Sequence, residues 1–367
     1  MRLACLVSGG VDSSVALTLA KDSGHEVHAF YLKIWLEDEM AFLGECPWEN
    51  DLTFVRSVCK KLNVPLTIVP LQKEYHDRVI SYALSEVREG RTPNPDIMCN
   101  SLIKFGAFQE WLEKNDTSFE KIVTGHYARS GEYKKVHGET FSIMKLACDR
   151  VKDQTYFLSR LTKEQLRRTW FPLGEYEKSK VREMAKEKNL LTFDRPDSQG
   201  LCFLGKIRYS SFIKHHLGTM MGDIVDISTG RILGKHEGHW FHTVGQRHGL
   251  DLSGGPWYVV GKDIQKNNIL VSHRLKMPET ERAFFGVRNT SWFLDEEDLQ
   301  KNFLQKKLFC KIRHGEKRYQ VILEGVSQNI SDFSVRILKE KERGITPGQF
   351  AVFYSDDMCL GSGVIVE

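Results

Sequence analysis

The sequence predicts an α/β protein in which a doubly wound parallel sheet is followed by two smaller β-rich units. Residues 1–125 alternate short apolar runs with amphipathic stretches, the pattern of strands and helices in a parallel sheet covered on both faces. Beyond about residue 206, one short helical stretch is followed mostly by strands that Gly, Asn and Asp residues separate. We therefore predict three domains, over residues 1–205, 206–278 and 279–367, of which the last is a β-barrel or a sandwich and the barrel is favoured.

The elements of the first domain follow from the spacing of apolar residues. Short apolar runs predict four strands, and apolar residues at helical spacing predict a helix after each of the first three and before the fourth. The predicted strands are Leu3–Val7, Val27–Leu32, Leu66–Val69 and Ile122–Thr124, and the predicted helices are Ser13–Asp22, Asp51–Leu62, Tyr75–Arg88 and Ser101–Glu113. In a sheet of this kind, ligands bind at the carboxyl ends of the strands.

The pattern changes after residue 125. A hairpin, two helices and a loop complete the first domain, and one helix with two β units forms the central domain. These are the hairpin Tyr133–Val136 with Thr140–Leu146, the helices Lys163–Thr169 and Ser179–Lys188, the loop Phe193–Gly205, the helix Tyr209–His216, and the β units Gly222–Gly238 and Trp257–Val271.

Composition limits the classes of protein to which the chain can belong. A hydrophobic content of 41% with 27% charged residues is typical of a soluble globular protein. No apolar run approaches the ~18 residues that span a membrane, so we expect no membrane contact. Met1-Arg2 leads directly into a predicted core strand, and we expect no signal or transit peptide. The expected location is the cytoplasm, or an organellar matrix or stroma if a transit peptide has been removed.

The eight cysteines are scattered and form no C-x-x-C pair, which argues against a zinc ribbon, an iron–sulfur cluster or a disulfide framework. We expect no metal-binding cysteine cluster. Five cysteines have apolar neighbours and are predicted to be small core residues, namely Cys5, Cys59, Cys148, Cys310 and Cys359. Cys46 has no assignment, and Cys99 and Cys202 lie in the motifs described below.

Positive charge is concentrated near the C-terminus. The net charge of the chain is only +4, but residues 301–344 contain 11 Lys or Arg against 5 Asp or Glu. A solvated strand face is the simpler interpretation of such a stretch, and contact with nucleic acid is the other.

The segment Ser8–Ser14, with the sequence SGGVDSS, joins the first strand to the first helix. Its two glycines allow the backbone to approach a phosphate closely, and the N–H groups of the first helical turn face an anion there. Three hydroxyls add donors, and Asp12 could cap the helix or face Mg²⁺. The lysine of the P-loop is missing, and the segment resembles the pyrophosphate-binding loop of ATP pyrophosphatases. A plain glycine turn with a polar cap is the structural alternative.

The segment Gly90–Asn100, with the sequence GRTPNPDIMCN, is the second motif. Its two prolines hold the backbone extended and end the preceding helix. Cys99 follows near the start of the next helix, where the dipole and nearby Arg91 and Lys104 favour a thiolate. Asp96 is suited to act as a general base or to orient a substrate. A capped helix with a buried cysteine is the structural alternative.

Cys202 belongs to the third motif, Asp194–Phe203, whose sequence is DRPDSQGLCF. A cysteine in a glycine-containing loop is not held in a core and is free to move. On its own it says little about function. Together with Cys99 and a phosphate-binding loop it indicates sulfur chemistry, because two thiols can hold a persulfide, transfer it and resolve it.

The motifs SGGVDSS, GRTPNPDIMCN, TGHYA, KDQTYFL and DSQGLCF, in this order, resemble those of the bacterial and organellar tRNA-specific 2-thiouridylases. The resemblance extends over almost the whole chain through HTVGQR, GLDLSGGPWYVVGKD and TPGQFAVFY. These enzymes replace the 2-oxygen of the tRNA wobble uridine with sulfur. The resemblance implies an adenine nucleotide alpha hydrolase-like first domain, and as substrates and partners ATP with Mg²⁺, tRNA, and a persulfide donor such as a cysteine desulfurase or a sulfur-relay protein.

The resemblance also implies roles for individual residues. ATP is expected to contact Leu6, Val7, Ser8, Gly9, Gly10, Val11, Asp12, Ser13, Leu32 and Gly125. The target base is expected to contact Asn94, Pro95 and Asp96, and the rest of the tRNA His126, Lys152, Asp153, Gln154, Arg313, His314 and Gln349. Cys99 is the expected nucleophile, and Cys202 the expected persulfide carrier that ends disulfide-linked to Cys99. Two positions depart from the family pattern: Leu32, where methionine is frequent, and Ser101, where a basic residue is common.

Two other functions fit part of the sequence. A small-molecule ATP pyrophosphatase ligase, similar to argininosuccinate or NAD synthetases, would use the Ser8–Ser14 loop but would need neither Cys99 nor Cys202. A catalytically silent RNA-binding module would explain the β-rich domains but not the intact loop and both cysteines.

Overall fold

The computed structural model describes residues 1–34, 47–116, 118–135, 137–197, 209–273, 282–325, 332–339, 341–342 and 345–366. The strands within these ranges form a five-stranded, a four-stranded and an eight-stranded sheet. Cys202, on which a prediction was made, and Cys46, which has no assignment, lie outside the described residues.

The first sheet is fully parallel and has the strand order β3-β2-β1-β4-β7. The strands up to this point of the chain are β1 Arg2–Leu6, β2 Glu26–Lys33, β3 Leu66–Pro70, β4 Lys121–Val123, β5 Ala128–Lys134, β6 Thr140–Leu146 and β7 Thr169–Trp170. The four strands predicted for this sheet are confirmed. β7 was not predicted, because two residues are too few to show a strand pattern and Thr169 was assigned to the preceding helix.

Helices cover both faces of this sheet. They are α1 Val11–Asp22, α2 Pro47–Leu62, α3 Gln72–Tyr75, α4 Ser81–Arg88, α5 Pro95–Cys99, α6 Phe108–Asn115, α7 Thr155–Leu158, α8 Lys163–Arg167 and α9 Lys178–Glu187, with π-helical turns His76–Ile80 and Asn100–Ala107 joining α3 to α4 and α5 to α6. Alternate residues of β1 face opposite layers, as the two-residue period of a strand requires. Leu3 and Cys5 pack with α1, α2 and α9, whereas Ala4 and Leu6 pack with α4, α5 and α6.

The central domain is small. It contains α10 Tyr209–Leu217, a 3₁₀ turn His239–Phe241, and β8 Gly222–Asp226, β9 Ile232–His236, β10 Trp257–Asp263 and β11 Asn268–His273 in the order β10-β11-β8-β9. Its core is a cluster around Ile224, Val259 and Ile269. The domain meets the first one at the end of α4, where Nε2 of His239 lies 3.1 Å from the carbonyl oxygen of Arg88.

The C-terminal strands form a closed barrel. They are β12 Phe284–Trp292, β13 Leu308–Lys311, β14 Tyr319–Gly325, β15 Phe333–Ile337, β16 Phe350–Ser355 and β17 Met358–Val366, with helix α11 Glu296–Asn302. The order is β12-β15-β14-β13-β16-β17, and pairing of β17 with β12 closes the circle. The favoured prediction of a barrel rather than a sandwich is confirmed.

The barrel is joined to the first domain through the hairpin β5–β6. β6 pairs with the start of β17, where Met358 lies opposite Lys145 and Cys359 opposite Met144. One hydrophobic cluster accordingly contains side chains of both domains, for example Ile97 and Phe108 of the first and Phe350 and Phe353 of the barrel. This shared core fixes the barrel relative to the α5 region.

Four of the five cysteines predicted to be in the core are buried, but the prediction for Cys148 is wrong because Cys148 is exposed. The preceding residue, Ala147, is fully buried, and the chain turns outward after it so that the Cys148 thiol lies 3.2 Å from a Glu175 carboxylate oxygen. Within the described ranges, no helix has the length and apolar character needed to cross a membrane.

Candidate active site

The Ser8–Ser14 loop lies at the carboxyl end of the central strand of the parallel sheet. β1 has β2 on one side and β4 on the other, so the strand order reverses its direction beside it. Crevices at such switch points are where open α/β sheets bind ligands. Leu6 ends β1, Leu32 lies near the end of β2, and Gly125 follows β4, so the residues expected to contact ATP meet at one edge of the sheet.

Two glycines of this edge are required by the local geometry. Gly9 has φ +81°, and a Cβ there would lie 2.7 Å from the carbonyl oxygen of Asp51. A Cβ on Gly125 would lie 2.7 Å from the backbone nitrogen of Ser13. The loop after β4 therefore presses against the first turn of α1, and side chains are excluded from both positions.

Hydroxyl groups fix the shape of the loop from inside. The Ser13 hydroxyl donates to the Gly10 carbonyl and accepts from the Ser8 backbone N–H at 3.2 Å. The Ser14 hydroxyl donates to the same carbonyl at 2.8 Å. Among the described residues no side chain caps α1 at Gly10, so the N–H groups of its first turn face the crevice. This arrangement suits a phosphate group.

Asp12 makes the contacts that join this loop to distant parts of the domain. Its carboxylate accepts hydrogen bonds from the Lys178 ammonium at 2.7 and 2.8 Å and from the Tyr127 hydroxyl at 2.8 Å. Burial, followed by the Asp12 charge, raises the pKa of Tyr127, so its hydroxyl remains a donor. Asp12 is thus held in a fixed orientation beside the loop.

Asp197 lies on the other side of Lys178 and forms ion pairs with three cations. Its carboxylate pairs with Lys178 at 2.8 Å, Lys152 at 2.7 Å and Arg182 at 2.8 Å. Burial acts to raise the pKa of Asp197, but hydrogen bonds from Lys152 and Lys178 and their charges outweigh it and lower the pKa to about 2. Asp197 is therefore ionised near pH 7.

Arg195 makes a second connection between this segment and the loop. Its guanidinium donates to the carbonyl oxygen of Gly9 at 2.8 Å and pairs with Asp51 at 2.6 Å. Two residues that precede Cys202 in the sequence are therefore connected to the loop. Arg195 contacts Gly9 directly, and Asp197 is connected to Asp12 through Lys178.

Cys99 lies at the end of the short helix α5. Pro95 is the first residue of this helix, and the Asn94 side chain caps it by accepting from the Ile97 N–H at 3.3 Å. The Cys99 side chain is buried, and Asp96 is half-buried one turn before it. The prediction that Cys99 lies near the start of a helical segment is confirmed, but that segment begins at Pro95, six residues before the predicted start at Ser101.

The barrel supplies the other wall of this region. The Gln349 side chain donates to the carbonyl oxygens of Thr92 and Pro93 at 2.9 and 3.0 Å, and accepts from the Asn94 amide at 3.4 Å. The Thr92 N–H donates to the carbonyl of Pro347 at 2.9 Å. Residues more than 250 positions apart therefore hold one loop in its extended shape.

His314 of the barrel also faces this loop. Its ring stacks on Phe157 with 4.6 Å between ring centres, and Nε2 lies 3.3 Å from the carbonyl oxygen of Asp153. Desolvation lowers the pKa of His314, opposed in part by its hydrogen bond to the Asp153 backbone and by the charges of Asp153 and Asp96. The ring is thus neutral and presents a flat surface stacked on Phe157.

The Lys152–Gln154 segment runs between the two regions. Gln154 exchanges two hydrogen bonds of 2.9 Å with the backbone of Tyr127, and Lys152 reaches Asp197. The Asp153 carboxylate is buried and accepts from Lys311 at 3.0 Å. A contact between its side chain and tRNA would require this buried ion pair to open.

His126 is half-buried beside the same segment. Its Nδ1 lies 2.8 Å from the Thr124 hydroxyl, and desolvation, followed by the Lys104 charge, lowers its pKa well below the ordinary value. The ring is neutral near pH 7 and suits a hydrogen bond to a base or sugar rather than an ion pair with phosphate.

The basic stretch 301–344 is not uniformly a surface. Lys311 is 3% exposed, so it cannot contact phosphate in this conformation. The interpretation of residues 301–344 as one solvated or RNA-binding face is therefore wrong for Lys311. Arg313 and Lys317 have side chains 58% and 54% exposed, each paired with Glu342. Only part of the excess charge is therefore presented to a partner.

The sequence predictions do not include four residues of the site, Tyr127, Lys178, Arg195 and Asp197. Tyr127 belongs to the TGHYA motif, in which only Gly125 and His126 have predicted roles. Arg195 and Asp197 lie in the Asp194–Phe203 motif, in which only Cys202 has a predicted role. Lys178 begins an ordinary amphipathic helix, and nothing in its local sequence shows that it reaches a loop 166 residues away.

The donor set near the loop fits Mg²⁺ held together with a polyphosphate. Within the described residues, no group of three or more His, Cys, Asp or Glu side chains could hold a metal ion. Mg²⁺ is commonly bound by one or two carboxylates together with substrate phosphates and water, and the Asp12 carboxylate at the loop meets that requirement.

Family models match the chain in three parts. A tRNA methyl transferase HUP domain matches residues 1–206, a tRNA methyl transferase PRC-barrel domain matches residues 210–273, and an aminomethyltransferase beta-barrel domain matches residues 282–365.

Curated relatives match the chain over its full length. A tRNA-specific 2-thiouridylase MnmA of Parabacteroides distasonis is 43% identical over 369 residues, covering 100% of this chain and 99% of the relative. That of Porphyromonas gingivalis is 40% identical over 385 residues with the same coverage, and one of Bacteroides thetaiotaomicron is 40% identical with 100% of both chains covered. A solved 4-thiouridine synthetase–RNA complex with bound ATP is 16% identical over 59% of this chain and 50% of its own, with a TM-score of 0.34.

Proposed function

This chain belongs to the tRNA-specific 2-thiouridylase family, and on that basis we propose that it uses ATP to replace the 2-oxygen of the tRNA wobble uridine with sulfur. The observation that supports this most strongly is the full-length identity of about 40% to relatives of that name, together with the Ser8–Ser14 loop and the helix Pro95–Cys99 in one domain. The bacterial relatives favour the cytoplasm as its location.

We infer that the first step activates the base. The 2-oxygen of uracil is a poor leaving group, so it attacks the α-phosphorus of ATP, the bond from that phosphorus to the bridging oxygen breaks, and pyrophosphate leaves with the electron pair. The base loses its N3 proton, for which Asp96 is the proposed acceptor. Loop N–H groups and hydroxyls stabilise the departing charge. Mg²⁺ bound with ATP would be held by Asp12 and phosphate oxygens and would neutralise further charge.

Sulfur transfer then has two routes that end in the same products. In one, the terminal sulfur of a Cys202 persulfide bonds to C2, AMP leaves, and the Cys99 thiolate attacks the Cys202 sulfur so that the S–S bond breaks. In the other, Cys99 attacks the persulfide first, and the released hydrosulfide bonds to C2. In both, two thiols are oxidised to a Cys99–Cys202 disulfide while the transferred sulfur is reduced by two electrons. A thiol reductant restores the thiols, and a persulfide-bearing protein reloads Cys202.

The target loop supports recognition of a base that has left its stack. Asn94, Pro95 and Asp96 lie between the first domain and the barrel, where Gln349 and the flat His314–Phe157 pair are close by. Modifying enzymes commonly extrude a base into such a pocket and read its edge by hydrogen bonds. Contacts from Lys152, Gln154, His126 and Arg313 would then position the remainder of the anticodon stem.

The experiment that separates this function from a small-molecule ligase is pyrophosphate release from ATP. We expect release to depend on tRNA that lacks 2-thiouridine and to be absent with tRNA that already contains it. Release stimulated by a small carboxylate or amine, and indifferent to tRNA, would contradict the proposal and favour the ligase. No release under any of these conditions would favour a silent RNA-binding module.

A further inference from the structure

The Ser8–Ser14 loop contains no lysine or arginine, although it is proposed to bind a triphosphate. We propose that Lys178, from the first turn of α9, supplies this missing cation by contacting the phosphates that leave as pyrophosphate, and that Asp197 is the residue that positions it. This inference rests on the proposed ATP-dependent function and adds a catalytic residue to it.

The position of the Lys178 ammonium is the first argument. It lies 2.7 and 2.8 Å from the two carboxylate oxygens of Asp12, a residue of the loop itself. It also lies 5.8 Å from the centre of the Tyr127 ring, and its side chain is only 11% exposed. A lysine so enclosed has a restricted orientation, so its charge is fixed in advance at the loop.

The way in which Lys178 is held is the second argument. Its ammonium lies between Asp12 at 2.7 Å and Asp197 at 2.8 Å, and its backbone N–H donates to Asp149 at 3.0 Å. If a phosphate oxygen replaced one Asp12 oxygen, Asp197 would still hold the ammonium from the other side.

Neighbouring cations fit this role less well. Arg195 donates to the Gly9 carbonyl and pairs with Asp51, so it holds the loop backbone and its charge is already balanced. Lys152 contacts Asp197 and is 40% exposed. Of the described cations around Asp197, Lys178 is the one whose ammonium also reaches a side chain of the loop.

The proposed release of pyrophosphate requires little movement of Lys178. When the bond between the α-phosphorus and the bridging oxygen breaks, negative charge grows on the pyrophosphate oxygens. An ammonium that exchanges one Asp12 oxygen for a phosphate oxygen stabilises that charge without transferring its proton. Asp197 keeps the other side of the ammonium fixed at 2.8 Å.

The test compares ligands that differ in the phosphates they contain. Binding of ATP, inorganic pyrophosphate and AMP to the full chain is measured by calorimetry for the wild type and for Lys178→Met. We expect the variant to bind ATP and pyrophosphate at least about tenfold more weakly and AMP nearly unchanged, and tRNA-dependent pyrophosphate release to fall about 10²-fold, as for loss of one charge-stabilising donor. Lys178→Arg keeps the charge and should recover part of the pyrophosphate binding. Lys180→Ala, which removes an exposed lysine two residues later on the same helix, is the control and should change nothing.

Other outcomes separate the possible failures. Equal weakening of ATP and AMP binding, or unchanged pyrophosphate binding in Lys178→Met, would overturn the role of Lys178 while leaving the proposed function intact. Failure of the wild type to bind ATP would overturn the proposed function itself. Asp197→Asn should lower pyrophosphate release, and its effect should largely disappear in the Lys178→Met background, because Asp197 acts through Lys178. Additive effects of the two changes would contradict the positioning role.

Discussion

Single thiols of this protein differ mainly in what surrounds them. Burial raises the pKa of Cys59 to about 11 and raises the pKa values of Cys5, Cys310 and Cys359 further, so these thiols stay protonated and unreactive. Cys148 is exposed, but its hydrogen bond to Glu175, and then its partial burial and the Glu175 charge, raise its pKa as well. None of these five is suited to thiolate chemistry near pH 7.

The first prediction concerns Cys99 and Cys202. We expect Cys99→Ser and Cys202→Ser each to abolish tRNA thiolation while tRNA-dependent pyrophosphate release continues, because adenylation needs no thiol. Cys148→Ser and Cys59→Ser are the controls and should retain thiolation, with at most a small loss of stability for the buried Cys59. After one round without reductant, peptide mapping of the wild type should find a Cys99–Cys202 disulfide. Normal thiolation by either Ser variant, or absence of that bridge, would refute the two-thiol mechanism.

At the level of elements, the loop before Cys99 depends on the barrel for its shape. Gln349, between β15 and β16, satisfies two backbone carbonyls of the Thr92-Pro93 dipeptide and touches Asn94. Neither proline of this loop has an N–H, so the extended loop has few backbone hydrogen bonds of its own. The barrel thus completes the proposed target-base pocket.

A second prediction follows for Gln349→Ala. Loss of its hydrogen bonds should raise the KM for tRNA and lower the thiolation rate by roughly tenfold, with ATP binding unchanged and a stability cost of about 1–3 kcal/mol from the unsatisfied carbonyls. Steady-state kinetics with varied tRNA and calorimetric ATP titration measure the two effects. Gln300→Ala, which removes a glutamine on the exposed surface of α11, is the matched control. An unchanged KM would mean that the loop keeps its shape without the barrel.

The third prediction concerns pH and the central domain. Burial, followed by the charges of His236 and Lys262, lowers the pKa of His242 from 6.5 to about 4. As pH falls below about 6.5, His242 therefore binds a proton in the unfolded chain but not in the folded protein. The contribution of this residue to the free energy of unfolding is full above pH 6.5 and is lost as pH falls through about 4. Denaturant unfolding at pH 7.5, 5.5 and 4.5 should show a weaker pH dependence for His242→Gln than for the exposed control His248→Gln. Identical slopes for both variants would contradict the assignment.

Sequence patterns predicted most elements but few of the contacts between them. The four strands predicted for the parallel sheet have short apolar runs, and these runs identified them. The two-residue strand β7 and the start of α5 at Pro95 depend on tertiary pairing and on the Asn94 cap, which periodicity does not reveal. The shared sheet of β6 and β17 joins residues more than 200 positions apart and has no local signal at all.

The same limit applies to the site. Residues inside a compact motif, such as Ser8–Ser14 and Asn94–Cys99, were predicted because glycine, proline and cysteine have recognisable local roles. Lys178 and Tyr127 were missed because their function depends on reaching Asp12 in space. Lys311 was predicted to lie on the surface because basic residues surround it in the sequence. In the structure its ammonium pairs with the buried Asp153 carboxylate.

At the scale of the whole molecule, the barrel presents exposed basic side chains. Arg313 adjoins His314 in the sequence, and Lys317 lies near Arg313 through their common partner Glu342. In the proposed function, phosphate contacts of this kind provide affinity and register, while the loop before Cys99 distinguishes the base.

The fourth prediction is that these side chains bind the tRNA backbone. Arg313→Ala and Lys317→Ala should each weaken tRNA binding and reduce the slope of log K against log salt concentration by about one unit, with ATP binding unaffected. Lys188→Ala, on the outer surface of the first domain where Lys188 pairs with Asp22, is the control. Filter binding between 50 and 300 mM salt, roughly the range in which such slopes are measured, gives the answer. Slopes equal to that of the wild type would make the stretch a solvated face.

The most direct test of the central claim is mass spectrometry of nucleosides from tRNA incubated with the full chain, ATP, Mg²⁺ and a persulfide donor. The account predicts 2-thiouridine at the wobble position, formed with one AMP and one pyrophosphate per sulfur and absent when ATP is omitted. It predicts no product with Asp12→Ala, in which the loop loses its carboxylate, and normal product with Lys180→Ala. Absence of 2-thiouridine with the active wild type and an unmodified tRNA, or its formation without ATP, would contradict the claim.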